Sequence, residues 1–383
     1  MTIKILIADK LAPEGATFLK SQPNVEVIEN TGLTGVELVQ AVSSVDGVIV
    51  RSAVKLPEEI LDKCFETPDC RLKGIARAGV GVDNIDLPTA TKYGVAVMNS
   101  ASASTITTAE HAFALIISLA RNISSSNAVF REGGWDRANF VGVQLAGRTL
   151  GIVGMGRIGQ AIARRALAFG MEVLGFDPFM KETTALDGHV RMMPSFDDLI
   201  KQVDIVTFHV PRTEETTGML GKDQFAICKD DLLVVNAARG GIVDEEALIE
   251  ALDAGNCAGA AIDVYMSEPP AEDHPFRSHP KVLCTPHLGA STVEAQEAVA
   301  VNACNSLLRY LQGEGLDSAV NAGGLDLELN NRQRTYVELA QRMITLLGTV
   351  ATISNTKEVT VELRGKATEG KADTIARYAL VAL

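Results

Sequence analysis

The run Leu150-Gly151-Ile152-Val153 leads directly into Gly154-Met155-Gly156-Arg157-Ile158-Gly159, and the helical pattern Gln160 to Phe169 follows. A strand, a turn with three glycines at this spacing and a helix leave the backbone few options. Gly154 permits a tight turn, Gly156 lets a charged group approach the main chain, and Gly159 lets the helix pack on the strand. The helix start offers free N–H groups and the positive end of the helix dipole, which suits a pyrophosphate. The spacing alone is weak, because glycines are common, but its setting supports it. The next strand, Val173 to Phe176, ends on Asp177. That carboxylate can bind both ribose hydroxyls and would repel a 2′-phosphate. The turn therefore reads as a dinucleotide site that favours NAD over NADP.

The same strand and helix alternation extends through most of the chain. Before the glycine turn come apolar runs at Lys4 to Asp9, Val25 to Ile28, Gly47 to Arg51, Lys73 to Arg77 and Val95 to Asn99. Helical patterns at Pro13 to Lys20 and Glu37 to Val42 separate the first of these. A long helix is predicted from Thr107 to Arg121, with Glu110 early and Arg121 late in its dipole. After Gly133-Gly134-Trp135 a second series begins. Its predicted strands are Thr149 to Val153, Glu172 to Phe176, Asp204 to His209, Leu232 to Asn236, Ala258 to Val264 and Val282 to Thr285. A helix follows from Thr292 to Leu311. Alternation of this kind predicts α/β architecture built on doubly wound parallel sheets. Beyond Gly313-Glu314-Gly315 the pattern changes. Tyr336 to Leu347 reads as a helix, Glu358 to Leu363 as a strand and Asp373 to Leu383 as an uncapped helix, the start of a third, α+β domain.

At 383 residues more than one domain is expected, and 46% hydrophobic content allows a sizeable core. The formal net charge of −13 argues against nucleic acid or an anionic membrane as partner. The six cysteines form no CxxC pair, so reduced thiols, no metal site and a cytoplasmic location are expected. Met1 to Lys10 has no signal-peptide pattern, and the uncharged run Ala112 to Ala120 is too short to span a bilayer.

In an open α/β sheet, ligands bind beyond the carboxyl ends of the strands. Arg239, Asp263, Glu268 and His287 all follow or close such ends. Hydride chemistry at a hydroxy acid needs a base for the hydroxyl proton and a cation for the carboxylate. It also needs a group that tunes the base. His287, Arg239 and Glu268 suit these roles in that order, because a carboxylate beside an imidazole favours imidazolium and sets the tautomer. His209 also ends a strand and stays open as an alternative base. His111, His189, His274 and His279 lie in helix or loop patterns and rank low.

With these residues in view, the chain resembles the D-isomer-specific 2-hydroxyacid dehydrogenase family. The matching stretches are Gly151 to Gly159, Val235 to Asp244, Asp263 to Pro270 and Thr285 to Thr292. The resemblance runs from residue 1 to about 320 and implies the trio Arg239, Glu268 and His287. It implies cofactor contacts at Val80, Gly154, Gly156, Arg157, Ile158, Gly159, Asp177, Val210, Ala237, Ala238, Arg239, Asp263, His287, Leu288, Gly289 and Ala290. Substrate contacts are implied at Arg51, Arg77, Gly79 and Arg239. A flavodoxin-like substrate-binding domain would comprise 1–98 and 286–315. A Rossmann NAD-binding domain would comprise 99–285, with an incomplete intervening domain at 316–383. The helix from Thr107 to Arg121 would lie at the interface of a homodimer or homotetramer.

The stretches Arg51 to Lys55, Ala76 to Asn84 and His287 to Thr292 carry a closer match to members acting on a phosphorylated hydroxy acid. A dianionic phosphate suits arginine forks at Arg51 and Arg77. The alternatives are a glyoxylate or hydroxypyruvate reductase, and a nucleotide-sensing corepressor on the same fold. Two features depart from the family pattern. Asn99 to Thr105 lacks a proline and an asparagine usual there, and Val80 stands where threonine is common.

Overall fold

The computed structural model describes residues 2–180, 186, 188–316 and 318–321, with single positions at 339, 342 and 343. Contacts divide the chain into two units, Met1–Ala101 with Val299–Leu383, and Ser102–Ala298. The tail patterns from Tyr336 onward lie outside the described residues, apart from those single positions.

The first unit runs β1 (Ile3–Ile7), α1 (Pro13–Lys20), β2 (Val25–Glu29), α2 (Gly35–Ser43), β3 (Gly47–Val50), α3 (Glu58–Glu66), β4 (Gly74–Arg77), α4 (Leu87–Lys92) and β5 (Ala96–Asn99). Its five parallel strands lie in the order β2-β1-β3-β4-β5. All four residues of β3 are buried, as expected of a central strand covered on both faces. Gly47 and Gly74 let Leu307 lie close on the sheet. A Cβ at either would come within 3.0 Å of Leu307.

The second unit opens with α5 (Thr105–Ala120) and α6 (Ile123–Arg131). It continues through β6 (Thr149–Val153), α7 (Arg157–Ala168), β7 (Glu172–Phe176), β8 (Val190–Met192), α8 (Phe196–Ile200) and β9 (Ile205–Phe208). It then runs α9 (Lys222–Phe225), β10 (Leu233–Asn236), α10 (Glu245–Ala254), β11 (Gly259–Ile262) and β12 (Val282–Cys284). The helix α11 (Val293–Leu311) crosses into the first unit's residues. The seven parallel strands lie in the order β12-β11-β10-β9-β6-β7-β8. The chain winds outward from β6 to β8, then returns to β9 on the other side of β6. The order therefore reverses between β6 and β9, where such sheets open a crevice.

The structure corrects several expectations. β8 was not predicted, because Val190–Met192 is only three residues long, too short for its apolar-polar-apolar order to stand out as a strand. α5 begins at Thr105, so Glu110 lies outside the first turn and Arg121 is the C-cap. Glu110 instead pairs with Arg165 at 3.0 Å, an exposed contact of small energetic weight. α7 begins at Arg157 and takes in Gly159, earlier than the expected start at Gln160.

The unit boundaries fall later than 98/99 and 285/286. Asn99 N–H donates to Ser318 O, and Ser100 N–H donates to Gly79 O, which keeps both residues with the first sheet. Leu288 and Gly289 bond through their N–H groups to the Asp263 carboxylate, which keeps their loop with the second.

Among the described residues no single helix is long and apolar enough to cross a membrane.

Candidate active site

The three glycines of the β6–α7 turn are required for three different reasons. Gly154 has φ of +92°, and a Cβ there would lie 2.5 Å from His209 O. At Gly159 a Cβ would lie 2.1 Å from Gly154 O, so only glycine lets α7 seat against the turn. At Gly156 a Cβ would meet nothing within 4 Å, and the residue is exposed. Gly156 is the N-cap of α7 and has no side chain to cap the helix, so the first-turn N–H groups face open space. This is the cradle that a pyrophosphate fits. Gly156, Arg157 and Ile158 line it.

Asp177 follows β7 directly. Its Oδ2 accepts the Met155 N–H at 3.0 Å and its Oδ1 accepts the Phe179 N–H at 2.9 Å. The carboxylate is thus fixed beside the glycine turn. Val210 is placed across the reversal point, with its Cγ1 2.8 Å from a Cβ built on Gly154. These residues fit NAD.

β10 ends at Asn236, whose buried side chain builds the next turn. Its Oδ1 accepts the Ala238 N–H and its Nδ2 donates to Arg239 O. Ala237, Ala238 and Arg239 are presented on that turn, at the carboxyl edge of the sheet. Gly240 then packs flat on the loop after β11. A Cβ at Gly240 would fall 1.8 Å from Tyr265 O.

That loop carries Glu268. Glu268 Oε1 accepts the Tyr265 N–H at 3.1 Å, and Oε2 lies 2.6 Å from His287 Nδ1. The side chains of His287 and Glu268 are 46% and 37% exposed, so the pair is open to a small molecule. Burial pushes the Glu268 pKa up, but the bond and charge of His287, the Tyr265 N–H and the charge of Arg239 outweigh it and hold the carboxyl below its usual value. Of the three residues reasoned from strand ends, His287 and Glu268 are brought into contact, and the charge of Arg239 acts on Glu268.

His287 sits in the left-handed region, with φ of 55°. Such a conformation costs a non-glycine residue about 1–3 kcal/mol and needs outside support. Asp263 provides it. Its backbone O accepts the His287 N–H at 2.9 Å. Its Oδ1 accepts from Leu288 N–H and Thr285 Oγ1, and its Oδ2 from Gly289 N–H. His111 Nε2, on α5, lies 3.2 Å from Oδ1. Burial raises the Asp263 pKa, but these bonds more than offset it and hold the carboxyl below its usual value. The carboxylate is fully buried and committed to the loop; Ala290 closes the same segment. His111 was ranked low from sequence, and nothing local to α5 points to Asp263.

His209, the alternative base, is placed differently. Its Nε2 lies 3.0 Å from Thr207 Oγ1, and burial pushes its pKa down to about 3.

In the first unit Arg51 follows β3, and Arg77 ends β4 in register with Val50. Both lie at the carboxyl edge of neighbouring strands. Asp9 Oδ2 accepts the N–H groups of Arg51, Ala53 and Val54, and Asn84 Nδ2 donates to the O atoms of Arg51 and Val54. These two residues shape the Arg51 loop, and sequence reasoning did not single them out as site residues. Gly79 has φ of +151°, and a Cβ there would strike the Arg77 guanidinium at 1.6 Å, so Gly79 makes room for Arg77. In the atypical 99–105 segment, Asn99 Nδ2 donates to Val80 O and Ser100 Oγ to Val299 O.

The family model for the D-isomer specific 2-hydroxyacid dehydrogenase NAD binding domain matches residues 113–289. The chain is 38% identical over 381 residues to D-3-phosphoglycerate dehydrogenase of Methanocaldococcus jannaschii, covering 100% of this chain and 71% of that protein. It is 41% identical over 344 residues to D-3-phosphoglycerate dehydrogenase of Bacillus subtilis, covering 90% of this chain and 64% of that one. Its fold is similar to NAD-dependent formate dehydrogenase from Staphylococcus aureus in complex with NAD. That match has a TM-score of 0.71 and 29% identity, and covers 82% of this chain and 97% of the other.

Proposed function

The chain belongs to the D-isomer-specific 2-hydroxyacid dehydrogenase family, and from that membership we propose that it oxidises D-3-phosphoglycerate to 3-phosphohydroxypyruvate with NAD, the first step of phosphorylated serine biosynthesis. The observation that carries the chemistry is the 2.6 Å contact between His287 Nδ1 and Glu268 Oε2 at the carboxyl edge of the nucleotide-binding sheet.

NAD held at the α7 turn would supply the acceptor for the hydride from the substrate C–H bond. The residues of the chain handle the proton and the charge. Nδ1 of His287 is committed to Glu268, so Nε2 is the nitrogen that takes the hydroxyl proton as the carbonyl forms. The imidazolium so created lies against an ionised carboxylate, which stabilises it. Arg239 holds the substrate carboxylate and polarises the developing carbonyl oxygen. In the reverse direction the same imidazolium returns the proton. Asp177 would hold the adenosine ribose, and the Leu288-Gly289-Ala290 segment would border the nicotinamide.

The substrate's phosphate is assigned to Arg51 and Arg77. Both relatives above bear the name of an enzyme for this acid, and two guanidinium groups on adjacent strand ends suit a dianion. Changing either arginine to alanine is expected to raise KM for 3-phosphohydroxypyruvate about 10- to 100-fold, the weight of one or two charge-assisted bonds, and to change KM for hydroxypyruvate little. A panel of 2-oxo acids with and without phosphate checks this. Equal effects on both acids would favour a glyoxylate or hydroxypyruvate reductase. A chain that binds NADH and reduces no 2-oxo acid would favour the corepressor.

α5, the helix expected at an interface, buries Ala109, Ala112, Phe113, Leu115 and Ile116 in the core of the second unit, so we further infer a homo-oligomer built instead on α6 and the segment after it. α6 buries none of its own residues. Ile123, Phe130, Trp135 and Val141 are 49%, 61%, 79% and 80% exposed. Single exposed apolar residues are ordinary, but a cluster marks an interface. Phe130, Trp135 and Phe140 also line a cleft of about 370 Å³. A second copy of the chain suits this surface. Phe130→Asp with Trp135→Asp is expected to convert the oligomer to monomer in analytical ultracentrifugation. A wild-type protein that sediments as a monomer would exclude the assembly.

A further inference from the structure

Behind the Tyr265–Glu268 turn stands another histidine–carboxylate pair. Glu245, the first residue of α10, accepts the Met266 N–H at its Oε1 (2.8 Å). Its Oε2 lies 3.1 Å from His274 Nε2. His274 Nδ1 accepts the Phe276 N–H at 3.3 Å, which assigns the ring proton to Nε2. His274 therefore donates to Glu245 through Nε2. Its ring is also held edge-on by Tyr265 and Phe276, with centroids 6.0 and 4.8 Å away. The side chains of His274 and Glu245 are only 16% and 25% exposed.

The Tyr265–Met266 segment is the junction of the site. Its Tyr265 N–H reaches Glu268, its Tyr265 O bears on Gly240 beside Arg239, and its Met266 N–H is held by Glu245. An acidic residue in a first helical turn is ordinarily explained by the helix dipole. That explains the charge of Glu245 and leaves the engagement of both its oxygens unexplained.

We propose that Glu245, oriented by His274, is a positioning residue that fixes the Tyr265–Met266 peptide, and through it the placement of Glu268 against His287 and the seating of the Arg239 turn. The proposal rests on the catalytic reading of Glu268 given above. Glu245 touches no reacting atom, so its effect passes through Glu268 and Arg239.

A double-mutant cycle tests this with the full chain, measuring reduction of 3-phosphohydroxypyruvate by NADH. Glu245→Ala is expected to lower kcat about tenfold, because small misplacements of catalytic groups are costly. NADH affinity stays unchanged, and Glu245→Gln, which keeps an acceptor for Met266, recovers most of the loss. In a Glu268→Gln background, Glu245→Ala is expected to cost less than about twofold, since coupled residues are not additive. Full additivity, or a Glu245→Ala enzyme with normal kcat, overturns the proposal. A Glu268→Gln enzyme with normal kcat overturns the catalytic reading itself, and the positioning role falls with it. If circular dichroism shows that Glu245→Ala fails to fold, His274→Ala, which removes the orienting partner of Glu245, carries the same cycle.

Discussion

Replacing His287 with alanine is expected to lower kcat by about a thousandfold, within the range for loss of a general acid–base. NADH affinity, measured by fluorescence titration, should survive. The reason is local. His287 carries its proton-transferring nitrogen on a loop that Asp263 holds through its own backbone O and both carboxylate oxygens. The loop therefore keeps its shape without the imidazole. Alanine at this position removes the proton carrier and leaves the α7 cradle untouched. Glu268 cannot take over. It bonds the imidazole on the Nδ1 side, a ring's width from the Nε2 position that carries the proton, so it stands back from the substrate hydroxyl. Near-normal turnover would refute the role of His287 and direct attention to His209. That ring is neutral over the working range, because burial holds its pKa at about 3.

Gly156→Val is expected to abolish measurable NAD binding while leaving the protein folded. A Cβ at Gly156 meets no protein atom within 4 Å, and the residue has no positive φ to strain. The added side chain would project into the space beside the free N–H groups of α7. Excluding the pyrophosphate from them should weaken binding at least about 100-fold, equivalent to roughly 2.8 kcal/mol. Thermal unfolding should shift by only a few degrees. Gly159→Val makes the contrast. Its Cβ would lie 2.1 Å from Gly154 O, so that variant should lose stability as well as binding. If Gly156→Val binds NADH normally, the cradle is not the pyrophosphate site.

The glycine turn shows how far local sequence reaches. Its three roles depend on backbone conformation and on the first contacts a Cβ would make, and both are set within a few residues. The parallel strands are equally legible, because β3, β9 and β11 are short, fully buried apolar runs. Where local signal fades, the reading fails. β8 is three residues, too short for its alternation to stand out, and the start of α5 at Thr105 lies two residues before the polar cluster suggested. Arg239, Glu268 and His287 were found because each follows a strand, and parallel strands deliver their carboxyl ends to one edge.

The supporting residues were not legible in this way. Asp263 could be placed on the edge, but its commitment to the His287 loop could not be read. His111 reaches Asp263 from α5, and His274 reaches Glu245 at the start of α10 from the loop after β11. Such partners are far apart in the chain and carry no shared periodicity. The sequence by itself determined the two parallel-sheet units, the nucleotide turn and the edge on which chemistry occurs, because those follow from backbone preferences and strand direction. Only the tertiary structure decided which carboxylate meets which imidazole, because that depends on strand order and on loops packed to within a few tenths of an ångström.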